Sequence, residues 1–427
     1  MNHQIKSPLL WINLICLLAF PVGLNCSAQE NPQAPPSPNV ARLGSYPDWS
    51  QLEKFQRTMT RSEFAWLLDH CYARNNKEYS GLIEVQYDRA LIAKQSNHPG
   101  AGYFILWFKA RAHDEGKAET YWRDTYVMND VPANSHRPLQ DVKIAIDPGH
   151  IGGDWVQWDD RHFALGVNTI EVREGEMTLR VAKILERDLT ALGAIVQLTR
   201  EDNNPVTALR PEQLSAEARN YLLRKRMIPS SKAIKSTTKK MFAISSEIRT
   251  RAEKVNQAFQ PDLALCLHFN ASPWGSRPSF RSDNHLHILI NGCYSRWEIS
   301  EDDTRFEMVR RILERIYYEE LDLAKELAET MQDETRLPNF SYGGRSGKAI
   351  CDNRYIWARN LLANRSFMCP VVFFEPYCMN HREVHARVQA GEYRGLREFD
   401  GVYKKNIYQE YADGVTAGLV NYFRRRR

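Results

Sequence analysis

Cysteine is scarce and widely spaced in this sequence. The 427 residues contain eight cysteines, and no two of them form a CxxC pair. Closely spaced cysteines are the usual ligands of thiolate zinc sites, so such a site is not indicated. Six of the cysteines follow residue 28, and we expect several of them to be buried small side chains. These six are Cys71, Cys266, Cys293, Cys351, Cys369 and Cys378.

Long apolar runs are also absent beyond the N-terminus. One run, from Leu9 to Leu24, follows a short segment with one lysine and precedes the small residues Cys26-Ser27-Ala28. It is shorter than the roughly 20 residues that a membrane span needs and contains Pro21. We therefore predict a signal peptide over residues 1–28 and no transmembrane segment after its removal. A membrane anchor and a lipoprotein attached through Cys26 are the alternatives.

The chain has no strong excess of charge. Its formal net charge is +5 and its pI is about 8.6, so no nucleic-acid partner is expected. The basic run Arg424 to Arg427 is most simply solvated charge. No internal repeat is visible in the sequence.

Composition and periodicity divide the sequence into segments. Residues 29–45 are rich in proline and glutamine and are predicted to be a disordered linker. Residues 46–136 carry a helical pattern, Arg61 to Tyr72, and two strand-like runs, Gly81 to Tyr87 and Tyr103 to Ala110. They predict a small α/β or α+β module of unknown role. Residues 141–427 are predicted to form a second, larger domain.

A strand–helix–strand unit opens this second domain. The apolar run Val142 to Ile146 ends in the turn Asp147-Pro148-Gly149. Apolar residues at helical spacing from Met177 to Leu192 follow, and then a second strand, Ile195 to Thr199. This order predicts an α/β fold with a mixed, mostly parallel sheet flanked by helices.

The alternation continues to the C-terminal region. Helices are predicted at Ser246 to Phe259 and Glu320 to Met331, and strands at Leu263 to Leu267, Leu286 to Asn291 and Val371 to Phe374. Two segments look inserted, a basic one near 208–240 and an amphipathic one near 302–318. The second has a single apolar face of Met308, Ile312, Leu313 and Ile316. We expect it to pack on the domain or shape a groove; the alternative is a helix that covers the site and inhibits it.

Four polar residues stand at the ends of these predicted elements: His150, Glu174, His268 and Glu375. Sites in open α/β sheets form beyond the carboxyl ends of the strands, where all four could converge. Two imidazoles and one carboxylate can hold a catalytic zinc, and a second carboxylate can transfer protons. The residues are far apart in sequence and form no HExxH motif, so structural histidines remain an alternative.

Four short segments resemble the motifs of the zinc-dependent N-acetylmuramoyl-L-alanine amidases. They are IDPGHIGG at 146–153, EGEMTL at 174–179, LHFNA at 267–271 and VFFE at 372–375, and they occur in the order of that family. The resemblance spans roughly Val142 to the C-terminus. It implies that His150, Glu174 and His268 bind one Zn²⁺ and that Glu375 is the catalytic acid/base.

The same resemblance implies hydrolysis of the amide that joins the lactyl group of muramic acid to L-alanine in peptidoglycan. An exported enzyme of the bacterial periplasm or cell envelope is then expected, with an activator protein as a possible partner. We also predict substrate contacts from Asn270, Arg359 and Asn360. A peptidase or deacetylase acting on another wall amide, or an inactive wall-binding homologue, are the alternatives.

The resemblance has departures and rival residues. Gly175 stands where the family usually has lysine, and Pro376-Tyr377 where it tends to have a small residue and glycine. Glu171 and Glu176 compete with Glu174 as the third ligand. His285 and His287 flank Leu286 on a predicted strand and could form a second metal pair, although two half-exposed strand histidines are the simpler expectation.

Overall fold

The computed structural model describes residues 47–96, 102–111, 120–128, 136–343 and 346–427. The predicted signal peptide and the predicted linker lie outside the described residues. Among the described residues, no helix is long and apolar enough to cross a membrane.

The N-terminal part combines short helices with a small antiparallel sheet. A 3-10 helix, Trp49–Phe55, precedes α1, Arg61–Leu67, which continues as a turn of π-helix, Leu68–Tyr72. The hydroxyl of Thr60 accepts a hydrogen bond from the amide of Glu63 and caps α1. The predicted helix is therefore present, although its last turn is widened.

Three strands form the sheet of this part, in the order β1-β2-β3. They are β1 (Ile83–Val85), β2 (Arg89–Ala93) and β3 (Tyr103–Trp107), and a short helix α2 (Thr125–Met128) follows. Strand β2 was not predicted, because its arginine and two alanines give little strand signal.

The second part is built on a sheet of seven strands, in the order β10-β11-β9-β12-β8-β4-β7. These strands are β4 (Lys143–Pro148), β7 (Ile195–Leu198), β8 (Leu263–Leu267), β9 (Leu286–Ile290), β10 (Lys348–Ala349), β11 (Ile356–Ala358) and β12 (Val371–Pro376). Four neighbouring pairs are parallel, whereas β12 with β9 and β10 with β11 are antiparallel. The predicted mixed, mostly parallel sheet is confirmed.

Helices cover both faces of this sheet. The helices of this part are α3 (Val156–Asp159), α4 (Glu174–Ala191), α5 (Pro211–Arg224), α6 (Ser231–Lys239), α7 (Glu247–Ala258), α8 (Arg296–Ile299), α9 (Asp302–Leu313), α10 (Ile316–Thr335), α11 (Leu362–Ser366), α12 (Arg382–Gln389) and α13 (Ile407–Arg426). Helices α4, α10 and α13 pack against one face, and α7 and α11 against the other. Two pairs of short strands complete the fold: β5 (His162–Phe163) with β6 (Val172–Arg173), and β13 (Arg397–Phe399) with β14 (Val402–Lys404).

Alternate residues along the central strands enter different cores. On β8, Leu265 and Leu267 join the core under α4, α10 and α13, while Ala264 and Cys266 join the core under α7 and α11. Because both faces are covered, the strand is buried at every position. This explains why its sequence is a continuous apolar run.

The predicted amphipathic segment forms α9, but the prediction that it has a single apolar face is wrong. Residues Asp303 to Leu313 are all buried. Arg249 and Arg365 pair with Glu307, and Arg305 donates to the carbonyl of Ala93. Ile316 belongs to α10, because the chain turns at Arg315, which has a φ of +55°. The helix is an internal element between the two parts of the molecule.

The basic C-terminal run is held by contacts within the chain. Arg425 pairs with Glu326, Arg426 with Asp322, and Arg427 donates to the carbonyl oxygens of Gln140 and Met128. The run is therefore not simply solvated charge, because three of its side chains fix the end of α13.

Candidate metal centre

The site lies at the carboxyl ends of three adjacent strands. The order β12-β8-β4 places the residues after each strand side by side, and the amide of Gly149 donates to the carbonyl of Leu267 over 2.9 Å. His150 follows β4, His268 follows β8, and Glu375 lies near the end of β12. Glu174 is the first residue of α4, which packs against β4.

Three of these side chains converge. Glu174 Oε1 lies 3.3 Å from His150 Nε2 and 3.2 Å from His268 Nδ1. One ligand atom from each residue can be chosen so that all three atoms lie within 4.8 Å of one another. Among the described residues this is the one group of three or more such side chains with the spacing of a metal site.

Two glycines allow the close approach of the surrounding backbone. A Cβ at Gly149 would lie 2.2 Å from Cε1 of His268, whose ring is also stacked on Phe373 at 4.2 Å. A Cβ at Gly175 would lie 2.3 Å from the carbonyl oxygen of Ile151. The second contact gives a physical reason for the departure at Gly175, because no lysine side chain fits there in this chain.

The backbone at the second departure, Pro376-Tyr377, keeps the conformation that glycine favours. Tyr377 stands where the resembled family tends to have glycine, and its φ is +53°. Its side chain is buried and its hydroxyl donates to Glu410 over 2.7 Å. Anchoring of the ring thus offsets the strain of a left-handed tyrosine.

His150 is held from two sides. Asp159 Oδ2 lies 2.9 Å from His150 Nδ1 and also accepts from the amide of Ile151 at 3.0 Å. Arg251 donates to the carbonyl of His150 at 2.7 Å. These bonds fix a residue whose own φ is +64°, and they direct its Nε2 towards Glu174.

The donor set fits a metal ion. Glu174 is 1% exposed, and its Oε2 has no hydrogen-bond partner among the described residues. A buried carboxylate oxygen without a partner is costly, and a cation would compensate it. Two imidazoles and one carboxylate are typical ligands of a catalytic zinc. The residues present therefore suit a zinc ion.

Charge and burial set the protonation of the two histidines differently. Burial disfavours the imidazolium of His150, but the carboxylates of Asp159 and Glu174 outweigh it and raise the pKa of His150 to about 9. Burial lowers the pKa of His268 below its usual value. A metal ion would therefore compete with a proton at His150 and meet a neutral ring at His268.

Glu375 has a carboxyl group whose pKa is raised above its usual value. Burial, followed by the negative charge of Glu174, raises the pKa of Glu375 to about 8. The charges of Arg161 and Arg359 act in the opposite direction. A carboxyl group with a pKa near neutrality can both accept and return a proton.

The rival ligands lie elsewhere. Glu171 bonds His162 and Arg173, and Glu176 bonds Arg173 and the amide of Gly153. Neither belongs to the cluster of ligand atoms. The structure thus brings together Glu174, and not its two neighbours, with the histidines.

The strand histidines are buried, so the expectation of half-exposed residues is wrong. His285 is 9% exposed and lies 3.1 Å from Asn270 Nδ2, and His287 is 2% exposed and lies 3.0 Å from the hydroxyl of Tyr342. Their rings stack on each other rather than around a third ligand. No metal cluster includes them among the described residues.

The three predicted substrate contacts have different surroundings. Asn270 bonds His285 and the amide of Ala271. Arg359 donates to Tyr342 and acts electrostatically on Glu375. Asn360 is 8% exposed, with its amide group bound to Glu298 and Arg365. Of these three residues, Arg359 is the one whose charge lowers the pKa of Glu375.

Sequence reasoning missed Asp159 and Arg161. Asp159 bonds the proposed ligand His150. Burial would raise the pKa of Glu174, but His150 and His268 lower it, and the charge of Arg161 adds to their effect. Arg161 also opposes the raised pKa of Glu375. A search for a carboxylate near His150 would have found Asp159, because ligand histidines usually donate their second nitrogen to such a group. No comparable pattern points to Arg161.

The fold and site define an α/β protein with a His–Glu–His cluster at the carboxyl edge of its sheet. Residues 144–396 match the family described as N-acetylmuramoyl-L-alanine amidase, and the chain belongs to that family. Its members are hydrolases of the bond between N-acetylmuramic acid and L-alanine. No curated protein matches the chain.

Solved structures of amidases are similar at low identity. The amidase Ami1 from Mycobacterium smegmatis is 14% identical, with a TM-score of 0.38, 67% of this chain covered and 99% of that chain. AmiC2 of Nostoc punctiforme is 15% identical, with a TM-score of 0.36 and coverages of 66% and 97%. CwlD from Clostridioides difficile, solved in complex with the GerS lipoprotein, is 13% identical, with a TM-score of 0.36 and coverages of 66% and 98%.

Proposed function

We propose that the chain is a zinc-dependent amidase that cleaves the bond between N-acetylmuramic acid and L-alanine in peptidoglycan. The observation that carries the proposal is the convergence of His150, Glu174 and His268, with an unpartnered carboxylate oxygen of Glu174 buried among them. Family membership supplies the substrate. An exported enzyme acting at the cell envelope remains part of the proposal.

The three converging side chains would hold the metal. A zinc ion bound there would polarise the scissile carbonyl and acidify an attacking water. Asp159 keeps the Nδ1 atom of His150 occupied, so that Nε2 is the nitrogen left for the ligand role. The stack of His268 on Phe373 fixes the second imidazole.

Glu375 would be the acid/base. Its carboxyl group takes the proton of the attacking water and then delivers it to the departing nitrogen of L-alanine, which could not leave as an anion. The pKa of about 8 is suited to this exchange near neutral pH. Arg161 and Arg359 lower this pKa and so favour the ionised form that begins the cycle.

Replacing Glu375 by glutamine tests this assignment. The amide keeps the shape of the side chain but cannot accept the proton, so kcat should fall about 10²- to 10⁴-fold while zinc content stays at the wild-type level. Peptide release from purified peptidoglycan and metal analysis measure the two quantities. The matched control is Glu392→Gln, an exposed acid paired with Arg180, which should leave both unchanged. Full activity of Glu375→Gln would contradict the mechanism.

A further inference from the structure

The segment that carries Asp159 packs against residues 211–246, a stretch that overlaps the predicted insertion near 208–240. Its helix α3 is four residues long and ends at Asp159, and the next residue, Asp160, has a φ of +58°. A helix of one turn does not hold its own conformation in water. Tertiary contacts must therefore keep Asp159 within reach of His150.

Those contacts come from the segment 211–246. Phe242 is fully buried, and its ring lies 5.6 Å from the ring of Trp155 and 6.3 Å from that of Trp158. Lys239 forms an ion pair with Asp160. Trp155 and Trp158 precede Asp159 in the sequence, and Asp160 follows it. The ring of Phe242 therefore contacts the residues before Asp159, and the charge of Lys239 holds the residue after it.

The same apolar cluster reaches the other neighbour of His150. Ile151, which follows the histidine, is 1% exposed and packs in one cluster with Leu214, Ala218, Met241 and Phe242. Asp159 also accepts a hydrogen bond from the amide of Ile151. Phe242 thus contributes to the packing of both segments that the Asp159 carboxylate joins.

Phe242 lies in a continuous helical stretch that also carries a residue in contact with His150. The π-helix Lys240–Ser246 joins α6 to α7, and Arg251 on α7 donates to the carbonyl of His150. Widened turns of this kind often occur where a side chain must be aimed at a functional site. The same stretch thus packs against Trp155 and Trp158 through Phe242 and bonds the backbone of His150 through Arg251.

We propose that Phe242 is a positioning residue for the metal centre, acting through Trp155, Trp158 and Asp159 on the imidazole of His150. Residues 211–246 then help to set the affinity of the site for the metal and do not only cover the surface of the domain. This inference rests on the proposed function, because it assigns His150 to the metal.

Zinc affinity of the full-length apoprotein, measured by competition with a chromophoric chelator, tests the inference without any substrate. Phe242→Ala should weaken zinc binding about tenfold, the lower end of the range for residues that orient a ligand. Phe242→Leu, which refills most of the space, should recover at least half of that loss on a logarithmic scale. Leu222→Ala, another truncation of a buried side chain within residues 211–246, should stay within twofold of wild type.

A double-mutant cycle distinguishes positioning from general destabilisation. If Phe242 acts through Asp159, then adding Phe242→Ala to Asp159→Asn should weaken zinc binding by less than twofold. A further tenfold loss in that background, or wild-type affinity of Phe242→Ala itself, would overturn the inference. Wild-type protein that binds no zinc would instead overturn the proposed function, so the two failures are distinguishable.

Discussion

At the scale of single residues, hydrogen bonds decide which nitrogen of His150 and which carboxylate oxygen of Glu174 remain available to a metal ion. Asp159 bonds Nδ1 of His150, and the backbone amide of Phe269 donates to Glu174 Oε1. Glu174 Oε2 has no partner among the described residues. Hydrogen bonding thus orients the side chains before any metal arrives. Preorganisation of this kind lowers the cost of assembling the site.

The pKa of His150 predicts a proton-coupled metal affinity. Burial opposes the imidazolium, but Asp159 and Glu174 raise the pKa of His150 to about 9, so the metal-free ring is protonated at pH 7. Zinc must displace that proton, and its apparent affinity should rise about tenfold per pH unit before levelling off near pH 9. Titration calorimetry in two buffers of different ionisation enthalpy measures the protons released.

Asp159→Asn is the matched variant for this prediction. The neutral amide no longer stabilises the imidazolium, so the plateau of affinity should move to lower pH. Zinc affinity that is independent of pH between 6 and 9 in the wild-type protein would contradict this account of His150.

At the scale of elements, α9 illustrates how far sequence reasoning reaches. Its helical periodicity and its apolar residues Met308, Ile312 and Leu313 were recognised, but burial of its charged residues was not. Arg249 and Arg365 neutralise Glu307 from α7 and α11. Partners so distant in sequence leave no local pattern, and charged residues normally predict exposure.

The burial of α9 predicts that weakening it will destabilise the protein without activating it. Ile312 is fully buried, so Ile312→Ala should lower the free energy of unfolding by about 2–5 kcal/mol. Activity per folded molecule should stay unchanged. Denaturant unfolding and peptide release measure both, with Leu223→Ala, an exposed leucine of α5, as the control. A rise in activity above wild type would favour the autoinhibition alternative.

The predictable part of the site has a simple physical origin. His150, His268 and Glu375 follow strands whose apolar runs are recognisable, and parallel strands bring their carboxyl ends to one edge. Their assignment as ligands and acid/base came from the resemblance of short motifs. The packing of Phe242 against Trp155 and Trp158 could not be predicted, because the two segments are far apart in the sequence and no local pattern joins them.

At the scale of the whole molecule, the two predicted parts share one core. Trp49 packs edge-on against Phe306 of α9 at 5.3 Å, Glu63 pairs with Arg315, and the amide of Arg296 donates to Glu78. The apolar cluster that contains Trp49 also contains residues of the seven-stranded sheet. The N-terminal part is therefore joined to the catalytic part by packing and not only by the chain.

A shared core predicts a single cooperative unfolding transition. Far-ultraviolet circular dichroism and tryptophan fluorescence should report the same midpoint in denaturant, because neither part keeps its core without the other. Phe306→Ala should shift both signals together. Two separate midpoints would show that residues 46–136 fold as an independent domain.

A zinc site built from His150, Glu174 and His268 is proposed to drive cleavage at the muramoyl–L-alanine bond. The direct test is to digest purified peptidoglycan with the metal-loaded protein, with chelated protein and with Glu375→Gln, and to identify the released fragments by mass spectrometry. Stem peptides with a free L-alanine terminus are expected from the metal-loaded wild type and are expected to be lost in the other two digests. Peptides cleaved at another bond, deacetylated sugars, or undiminished release after chelation would contradict this proposal.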